Sequence, residues 1–377
     1  MKRLTLLAIA LSSMASTKSL AYDLKSENED GVTISYNIIN GGSELEVIGC
    51  SSCQTLNIPA SVTHSGVTRQ VTSIAERAFY ENSRLTSVSI PDGVTSIGEE
   101  AFYGCGKLTS VAVPNSVTSI GDAAFQWCTR LTSLSIPENI TRIENHTFCQ
   151  CVRLKSVEIP TGVVTIGNSA FSGCSGLSSL NIANSVTTIG DFAFADCSGL
   201  TTLTIPNSVV SIGECCFFKC SGISSLIIPN SVTNIGNSAF LSCSDLISLT
   251  IGSSVKSIGH KAFDCDNIST VISLIENPFV ISANFQQNQN TFSSKTFSTG
   301  VLYVPYGTKD MYKMTEGWNR FTNIEELEPI NTGISPVHMP TTNSSFYTLD
   351  GKHITQPSKG INIIRMSDGT TKKVLVK

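Results

Sequence analysis

The chain has 377 residues, only 14% of them charged, and a formal net charge of −4. The low charge and the absence of a long basic run argue against binding by phosphate neutralisation, so a nucleic acid is not an expected partner. A chain of this length exceeds one ordinary globular core, which predicts either several domains or an elongated array.

Residues 1–21 have the pattern of an export signal. Basic residues precede the apolar run Leu4–Leu11, and the small residues Ser19 and Ala21 suit cleavage before Tyr22. The apolar run is too short to cross a bilayer, and no other segment approaches that length, so we predict no transmembrane segment. The expected location is secreted or on the outer cell surface after cleavage of the signal peptide.

The middle of the chain repeats itself every 23 residues without a slip. Phenylalanines fall at Phe79, Phe102, Phe125, Phe148, Phe171, Phe194, Phe217, Phe240 and Phe263. Cysteines follow the same step at Cys105, Cys128, Cys151, Cys174, Cys197, Cys220 and Cys243. A fixed period of this size indicates a solenoid in which each repeat forms one coil.

Each coil is predicted to contain two short strands and one helical turn. In Leu131–Pro137 apolar residues are interspersed with serines, which predicts a strand with one buried face that the proline ends. Val117 and Ile120 point inward from a second extended piece, and Gly121 allows a sharp bend. Asp122–Phe125 predicts one turn of helix with the aspartate as N-cap; a calcium ladder is disfavoured because the glycine–aspartate nonapeptide of β-rolls is absent.

Stacking explains why the period is strict. One coil cannot bury its own apolar side, whereas stacked coils cover each other and align identical residues in columns. Strand spacing sets a rise of about 4.8 Å per coil. A one-residue insertion would turn the inward residues of a coil out of register.

Two segments show a family resemblance, Leu131–Ile143 (LTSLSIPENITRI) and Leu200–Phe217 (LTTLTIPNSVVSIGECCF). They resemble BspA-like bacterial leucine-rich repeats, whose consensus runs L-x-x-L-x-I-P, S-V-x-x-I-G and A-F-x-x-C. The resemblance covers about residues 74–265. It implies an exported surface protein associated with adhesion and host-protein binding, and not with catalysis. We therefore predict a β-rich leucine-rich-repeat solenoid with parallel strands and short helical turns, plus a small C-terminal β segment.

The ends of the array should be capped, because terminal coils otherwise expose their core. We expect an N-terminal cap, the solenoid, a C-terminal cap, a linker and a β-rich tail at residues 22–70, 71–265, 266–328, 329–345 and 346–377. The aromatic residues within Val301–Ile324 are interpreted as cap packing.

The tail resembles the C-terminal sorting signals of the type IX secretion route. Turns at Asp350-Gly351 and Asp368-Gly369 fit that pattern, whereas Asn362 replaces the usual tyrosine. The resemblance implies that the tail directs crossing of the outer membrane. An ordinary small β-domain is the alternative.

The cysteine column could in principle form disulfides, since stacked neighbours should lie about 5 Å apart. Their parallel Cβ vectors disfavour this, so we expect buried free thiols, with oxidation of some pairs as the alternative. Cys50 and Cys53 form a lone C-x-x-C, interpreted as a local disulfide or packing pair and not as half of a zinc site. His146 and Cys149 are likewise interpreted as residues of the helical turn, and Cys151 as a member of the packing column, so no metal or cofactor is expected.

No catalytic motif is present, neither G-x-S-x-G nor H-E-x-x-H nor a phosphate-binding loop, so no enzyme and no catalytic residue is expected. The outward strand positions form columns of Ser and Thr that lack the Trp, Tyr and Arg typical of binding hot spots. The candidate binding patch comprises Trp127, Arg130, Arg142, Arg153, Lys155 and Glu158. The expected partner is an extracellular protein or glycan of the host matrix or of other cells; the alternative is a structural surface spacer without a dedicated ligand.

Overall fold

The computed structural model describes residues 22–284 and 289–328, together with the backbone of four short strands within 345–376. The predicted signal peptide, most of the predicted linker and the turn residues of the tail lie outside the described residues. Of the described part, residues 24–326 form a continuous succession of short strands. Identical positions of successive repeats pair with each other, as expected for a solenoid.

The strands are short, and most have two to four residues. In chain order they are β1 Leu24–Glu27, β2 Thr33–Ile39, β3 Glu44–Cys50, β4 Thr55–Asn57, β5 Ser61–His64, β6 Val67–Ile74, β7 Ser87–Ser89, β8 Ser96–Ile97, β9 Ser110–Ala112, β10 Ser119–Ile120, β11 Ser133–Ser135, β12 Arg142–Ile143, β13 Ser156–Glu158, β14 Thr165–Ile166, β15 Ser179–Asn181, β16 Thr188–Ile189, β17 Ser211–Ile212, β18 Ser225–Ile227, β19 Asn234–Ile235, β20 Ser248–Ile251, β21 Ser257–Ile258, β22 Thr270–Ser273, β23 Ala283–Asn284, β24 Gln289–Asn290, β25 Val301–Val304, β26 Asn323–Glu326, β27 Ser345–Thr348, β28 His353–Ile354, β29 Gly360–Arg365 and β30 Thr371–Val376.

Each coil contributes one strand to each of two parallel stacks. The first-strand stack contains the three-residue strands that follow the Leu-x-x-Leu motif, such as β9, in which buried Val111 lies between two exposed neighbours. The second-strand stack contains the two-residue strands that end at the buried isoleucine column, such as β10 with Ile120. Both stacks pair residues that are 23 apart in sequence, for example Ser110 with Ser133.

The two ends extend this arrangement. At the N-terminus, β1, β2 and β3 are antiparallel, and β3 pairs in parallel with β6, which leads into β8 and β10. At the C-terminus, β22, β25 and β26 continue the first-strand stack beyond residue 265. Helices α1 (Ser294–Thr299) and α2 (Lys309–Met314) lie in this last section. The tail strands form an antiparallel sheet in the order β28-β27-β29-β30.

A column of phenylalanine rings forms the centre of the core. Neighbouring rings stack with centroids 5.1 Å apart for Phe79–Phe102 and 5.7 Å apart for Phe125–Phe148, the shortest and longest spacings of the nine-ring column. Phe292 extends the column past Phe263 at 5.6 Å. Trp318 and Phe321 then pack on Phe292, and Tyr312 packs on Trp318, whereas Tyr306 in the same segment is exposed.

The segment predicted as one turn of helix folds differently. Ala124 and Cys128 donate backbone hydrogen bonds to residues three earlier, Gly121 and Phe125, whereas the intervening Phe125 donates across to the next coil, to the carbonyl of Thr147 at 2.9 Å. Every second backbone N–H of this segment therefore donates to a carbonyl of the next coil. This pattern prevents a continuous helix with i→i−4 hydrogen bonds. Ala123 and Trp127 adopt left-handed φ values of 54° and 62° to allow this alternation.

The N-cap prediction is corrected accordingly. The side-chain oxygen of Asn145 accepts from the backbone N–H of Asn168 in the next coil at 2.9 Å. Asn168 does the same for Asp191 at 2.9 Å. The side chains of this column thus connect successive coils instead of capping a helix within one coil.

The glycine after the isoleucine column also has a different role from the predicted bend. A Cβ at Gly121 would lie 2.5 Å from the backbone nitrogen of Glu99 in the preceding coil, a distance that real Cβ atoms do not reach. The backbones of adjacent coils therefore meet where only glycine fits. The other members of this column are Gly98, Gly167, Gly190, Gly213, Gly236 and Gly259.

One coil departs from the glycine column, with Glu144 in place of glycine. At this step both stacks are interrupted, between β10 and β12 and between β11 and β13. Each glycine of the column donates its N–H to the isoleucine of the coil before, as Gly121 does to Ile97 at 2.9 Å; within the described residues Glu144 makes no such bond to Ile120. The longest ring spacing, Phe125–Phe148, falls at the same step. We call this interface between coils the Glu144 seam.

Removing one ring from the column should destabilise the array strongly. Phe171→Ala is expected to lower the free energy of unfolding by about 3–5 kcal/mol, since it leaves a cavity between two stacked rings. Urea denaturation measures the loss. The matched control is Phe192→Ala, at an exposed side chain two residues from the column, where a change of comparable size would contradict the packing argument.

Restoring glycine at the Glu144 seam should restore the backbone hydrogen bond between the two coils. Glu144→Gly is expected to stabilise the array by about 1 kcal/mol, because it permits a backbone hydrogen bond that the Cβ blocks. Amide hydrogen exchange should slow at residue 144. The control Glu214→Gly, at an exposed position outside the column, should destabilise slightly instead. Unchanged exchange at residue 144 would mean that the seam has another cause.

Candidate binding surface

The outward side chains of the first-strand stack form the predicted columns of hydroxyl groups. Ser110, Ser133, Ser156, Ser179 and Thr202 are all exposed, one from each of five successive coils. The strand pairing beneath them is not continuous. It breaks at the Glu144 seam and again after β15, where residues 202–204 form no strand.

The structure places the candidate patch residues on two different sheets. Arg130 and Arg153 occupy equivalent positions of adjacent coils, and Lys155 and Glu158 lie beside and in β13 of the first-strand stack; all four are exposed. Arg142 belongs to β12, in the second-strand stack.

Arg142 also differs from the others in its partner. Its Nε lies 2.9 Å from the Oε2 of Glu144, so this guanidinium is paired at the seam. Arg130, Arg153, Lys155 and Glu158 form no ion pair within the described residues. Trp127 is 44% exposed at the tight turn three residues before Arg130. We define the anchor group as Trp127, Arg130, Arg153 and Lys155.

A cavity of about 530 Å³ opens beside Glu158. Its other lining residues come from four successive coils and include Glu138, Leu180, Ala183 and Pro206. Of these lining residues, Glu158 was the one predicted from the sequence. The missed signal is Ala183, which interrupts the column of prolines after the first strand.

A stacked pair of tyrosines is a second surface feature that was not predicted from the sequence. Tyr80 and Tyr103 stack at 4.9 Å in adjacent coils, on the outer side of the turn segment. The Arg77 guanidinium lies 4.7 Å from the centroid of the Tyr80 ring and pairs with Glu100. The Tyr80 ring therefore contacts both Tyr103 and the arginine.

The cysteine column consists of free, buried thiols, as expected. Each Sγ donates to a phenylalanine carbonyl of the coil before, as Cys128 does to Phe102 at 3.3 Å. Burial raises the pKa of Cys105 to about 12 and that of Cys151 well above its ordinary value. Cys50 and Cys53 are joined by a disulfide in the N-terminal section.

The described residues offer no group of three His, Cys, Asp or Glu side chains that could share a metal ion. The two α-helices of the described part have six residues each, too short to cross a membrane.

The arrangement of stacked coils matches a known repeat family. The pattern of the BspA type leucine rich repeat region matches residues 49–178 and 164–292, in six copies. The chain belongs to the BspA-type leucine-rich-repeat family. A BspA-type solenoid is typically a non-enzymatic scaffold for protein interaction, which agrees with the exposed columns and the fully packed interior described above.

One solved structure shows the same fold. This BspA-type chain is similar to a leucine-rich repeat protein from Bacteroides ovatus ATCC 8483, at 25% identity and a TM-score of 0.57, covering 82% of this chain and 89% of that one. It is also similar to a leucine rich cell surface protein from Faecalibacterium prausnitzii A2-165, at 23% identity and a TM-score of 0.46, covering 82% of this chain and 96% of that one. None of the curated proteins compared with the chain matches it.

Burial of the thiols predicts both low reactivity and a pH dependence. Of the eleven free cysteines, ten are buried, so iodoacetamide at pH 8 should label Cys215 in the folded chain and all eleven after unfolding. A thiol ionises near pH 8.5 in an unfolded chain, whereas its raised folded pKa keeps it protonated. The contribution of these thiols to the free energy of unfolding should therefore be fully present below about pH 8.5. It should fall as the pH rises above that value.

Mass spectrometry after alkylation measures the first effect, and urea midpoints between pH 7 and about 10 measure the second. Rapid labelling of Cys151 in the folded chain would contradict the buried column. A stability that rises above pH 9 would contradict the assigned direction of the pKa shift.

Proposed function

We propose that this protein is exported and binds an extracellular protein or glycan non-covalently, in an adhesive role, through the anchor group on its first-strand side. The observation that carries the proposal is a set of exposed cations without ion pairs in the described part of the chain, one of which, Arg130, follows the exposed Trp127 by three residues. Arg130, Arg153 and Lys155 have no ion-pair partner within the described residues. Tryptophan and arginine are the residues most enriched in binding hot spots.

Two further features support this proposal. The phenylalanine, cysteine and isoleucine columns are buried in the interior, so the solenoid presents the outward strand and turn positions to a partner. The pattern of residues 1–21 and the resemblance of the tail to a sorting signal support export to the outer cell surface. Family membership supports protein interaction, and the choice between host matrix and neighbouring cells is part of the test.

A structural spacer is the second candidate. It is favoured by the hydroxyl columns, which supply a solvated and β-compatible surface without anchors. The two candidates differ in whether any ligand is retained.

The test immobilises the full chain and passes matrix proteins, mucin and whole cells over it. Trp127→Ala and Arg153→Ala should each weaken retention by about tenfold, the effect of losing roughly 1.4 kcal/mol at a hot spot. The control Val210→Ala, at an exposed position between β16 and β17 on the second-strand side, should leave retention unchanged. If no ligand is held above a blank surface, and cells lacking the protein attach normally, the spacer is the correct assignment.

A further inference from the structure

The cavity beside Glu158 arises at an interruption of the proline column. The first strand of most coils is followed by proline, at Pro91, Pro114, Pro137, Pro160, Pro206 and Pro229. Ala183 stands where the series requires a proline between Pro160 and Pro206, and all three residues line the cavity. The missing ring leaves space between its two neighbours, and the first-strand pairing ends at the same place, after β15.

One apolar side chain in the wall of this cavity, Leu180, is left partly uncovered by the array. Leu180 is half-buried, whereas its equivalents Leu226 and Leu249 in later coils are buried. Ile159 and Ile182 also contribute to the lining. A pocket of about 530 Å³, lined by both apolar and polar side chains, falls within the size range of ligand sites in proteins.

The charge at the cavity has one sign. Two carboxylates, Glu138 and Glu158, line it, and both are exposed. Within the described residues neither forms an ion pair, and no lysine or arginine is among the residues that line the cavity. The remaining polar lining consists of neutral side chains such as Asn181, Asn184 and Thr204.

We propose that this cavity, the Ala183 cavity, receives a lysine or arginine side chain of the protein partner. These side chains combine an apolar stem with a terminal cation. The stem packs on Leu180 and the flanking prolines, while the cation meets Glu138 and Glu158 in charge-assisted contacts. An anionic group would face two like charges there, and a purely apolar group would gain no charge-assisted contact with the carboxylates. The inference deepens the proposed function, on which it rests, by naming what the partner must present.

The test uses the full chain with labelled leucine, isoleucine and alanine methyl groups, observed by NMR. The probes are capped Gly-Ser-X-Ser-Gly peptides in which X is lysine, arginine, norleucine or glutamate. The lysine and arginine peptides should shift the methyl signals of Leu180, Ile182 and Ala183 in a saturable way that weakens with added salt. The norleucine and glutamate peptides should bind at least tenfold more weakly.

Two variants locate the site. Ala183→Pro should abolish the shifts by filling the gap; the fold should tolerate it, since the Ala183 N–H donates no backbone hydrogen bond within the described residues and the adjacent coils carry proline. The double variant Glu138→Gln/Glu158→Gln should weaken lysine binding by about tenfold or more. The matched control Glu76→Gln/Glu99→Gln removes two exposed charges elsewhere and should bind as the natural chain does.

The outcomes separate this inference from the proposed function. Equal shifts from the norleucine and lysine peptides, or undiminished binding by Ala183→Pro, overturn the inference. So does a chain that retains a macromolecular ligand while the lysine peptide leaves the methyl signals unmoved, a result that leaves the proposed function standing. A chain that binds the lysine peptide at this cavity but retains no macromolecule supports the inference and counts against the adhesive role.

Discussion

Burial of one coil's apolar side by the next coil is the interaction on which the whole molecule depends. The Phe171 ring packs between those of Phe148 and Phe194, and nothing within its own coil could cover both faces. The spacing of these rings requires the backbones to approach closely at the glycine column, where Gly213 meets Gly190. That approach in turn aligns the N–H and carbonyl groups that connect the coils. Period, glycine and ring stacking are thus consequences of one constraint.

This constraint explains how much of the fold was readable from the sequence. The 23-residue step requires equivalent residues to stack, so the burial of Phe102 and Cys128 followed directly from their spacing. Local signals were less informative. An aspartate or asparagine before a small residue looks like a helix N-cap, but the sequence does not reveal whether the N–H that Asn145 accepts belongs to its own coil or to the next one. Gly121 was misread for the same reason, because its neighbour Glu99 is distant in sequence.

The candidate surface was only partly predictable. Arg130, Arg153 and Lys155 were noticed because they interrupt the repeated pattern, and all three are exposed. Arg142 shares the period but lies on the other stack, since a coil turns back between its two strands. The Ala183 cavity exists because one proline ring is absent from the proline column. That signal is visible in the sequence only when the repeats are aligned. In a regular array, the departures from the repeat are therefore the places where chemistry specific to this chain is found.

The Glu144 seam gives the array a property that uniform repeats lack. In a linear stack, each coil contacts only its neighbours. One weak interface therefore divides the cooperative folding unit in two. The turn bonds, such as Phe125 to Thr147, still connect the two blocks across the seam. A tether pulled along its axis would yield first at this position and extend by a limited length while both blocks keep their cores. For a molecule held between two surfaces, such a weak link would absorb load before the bound end is lost.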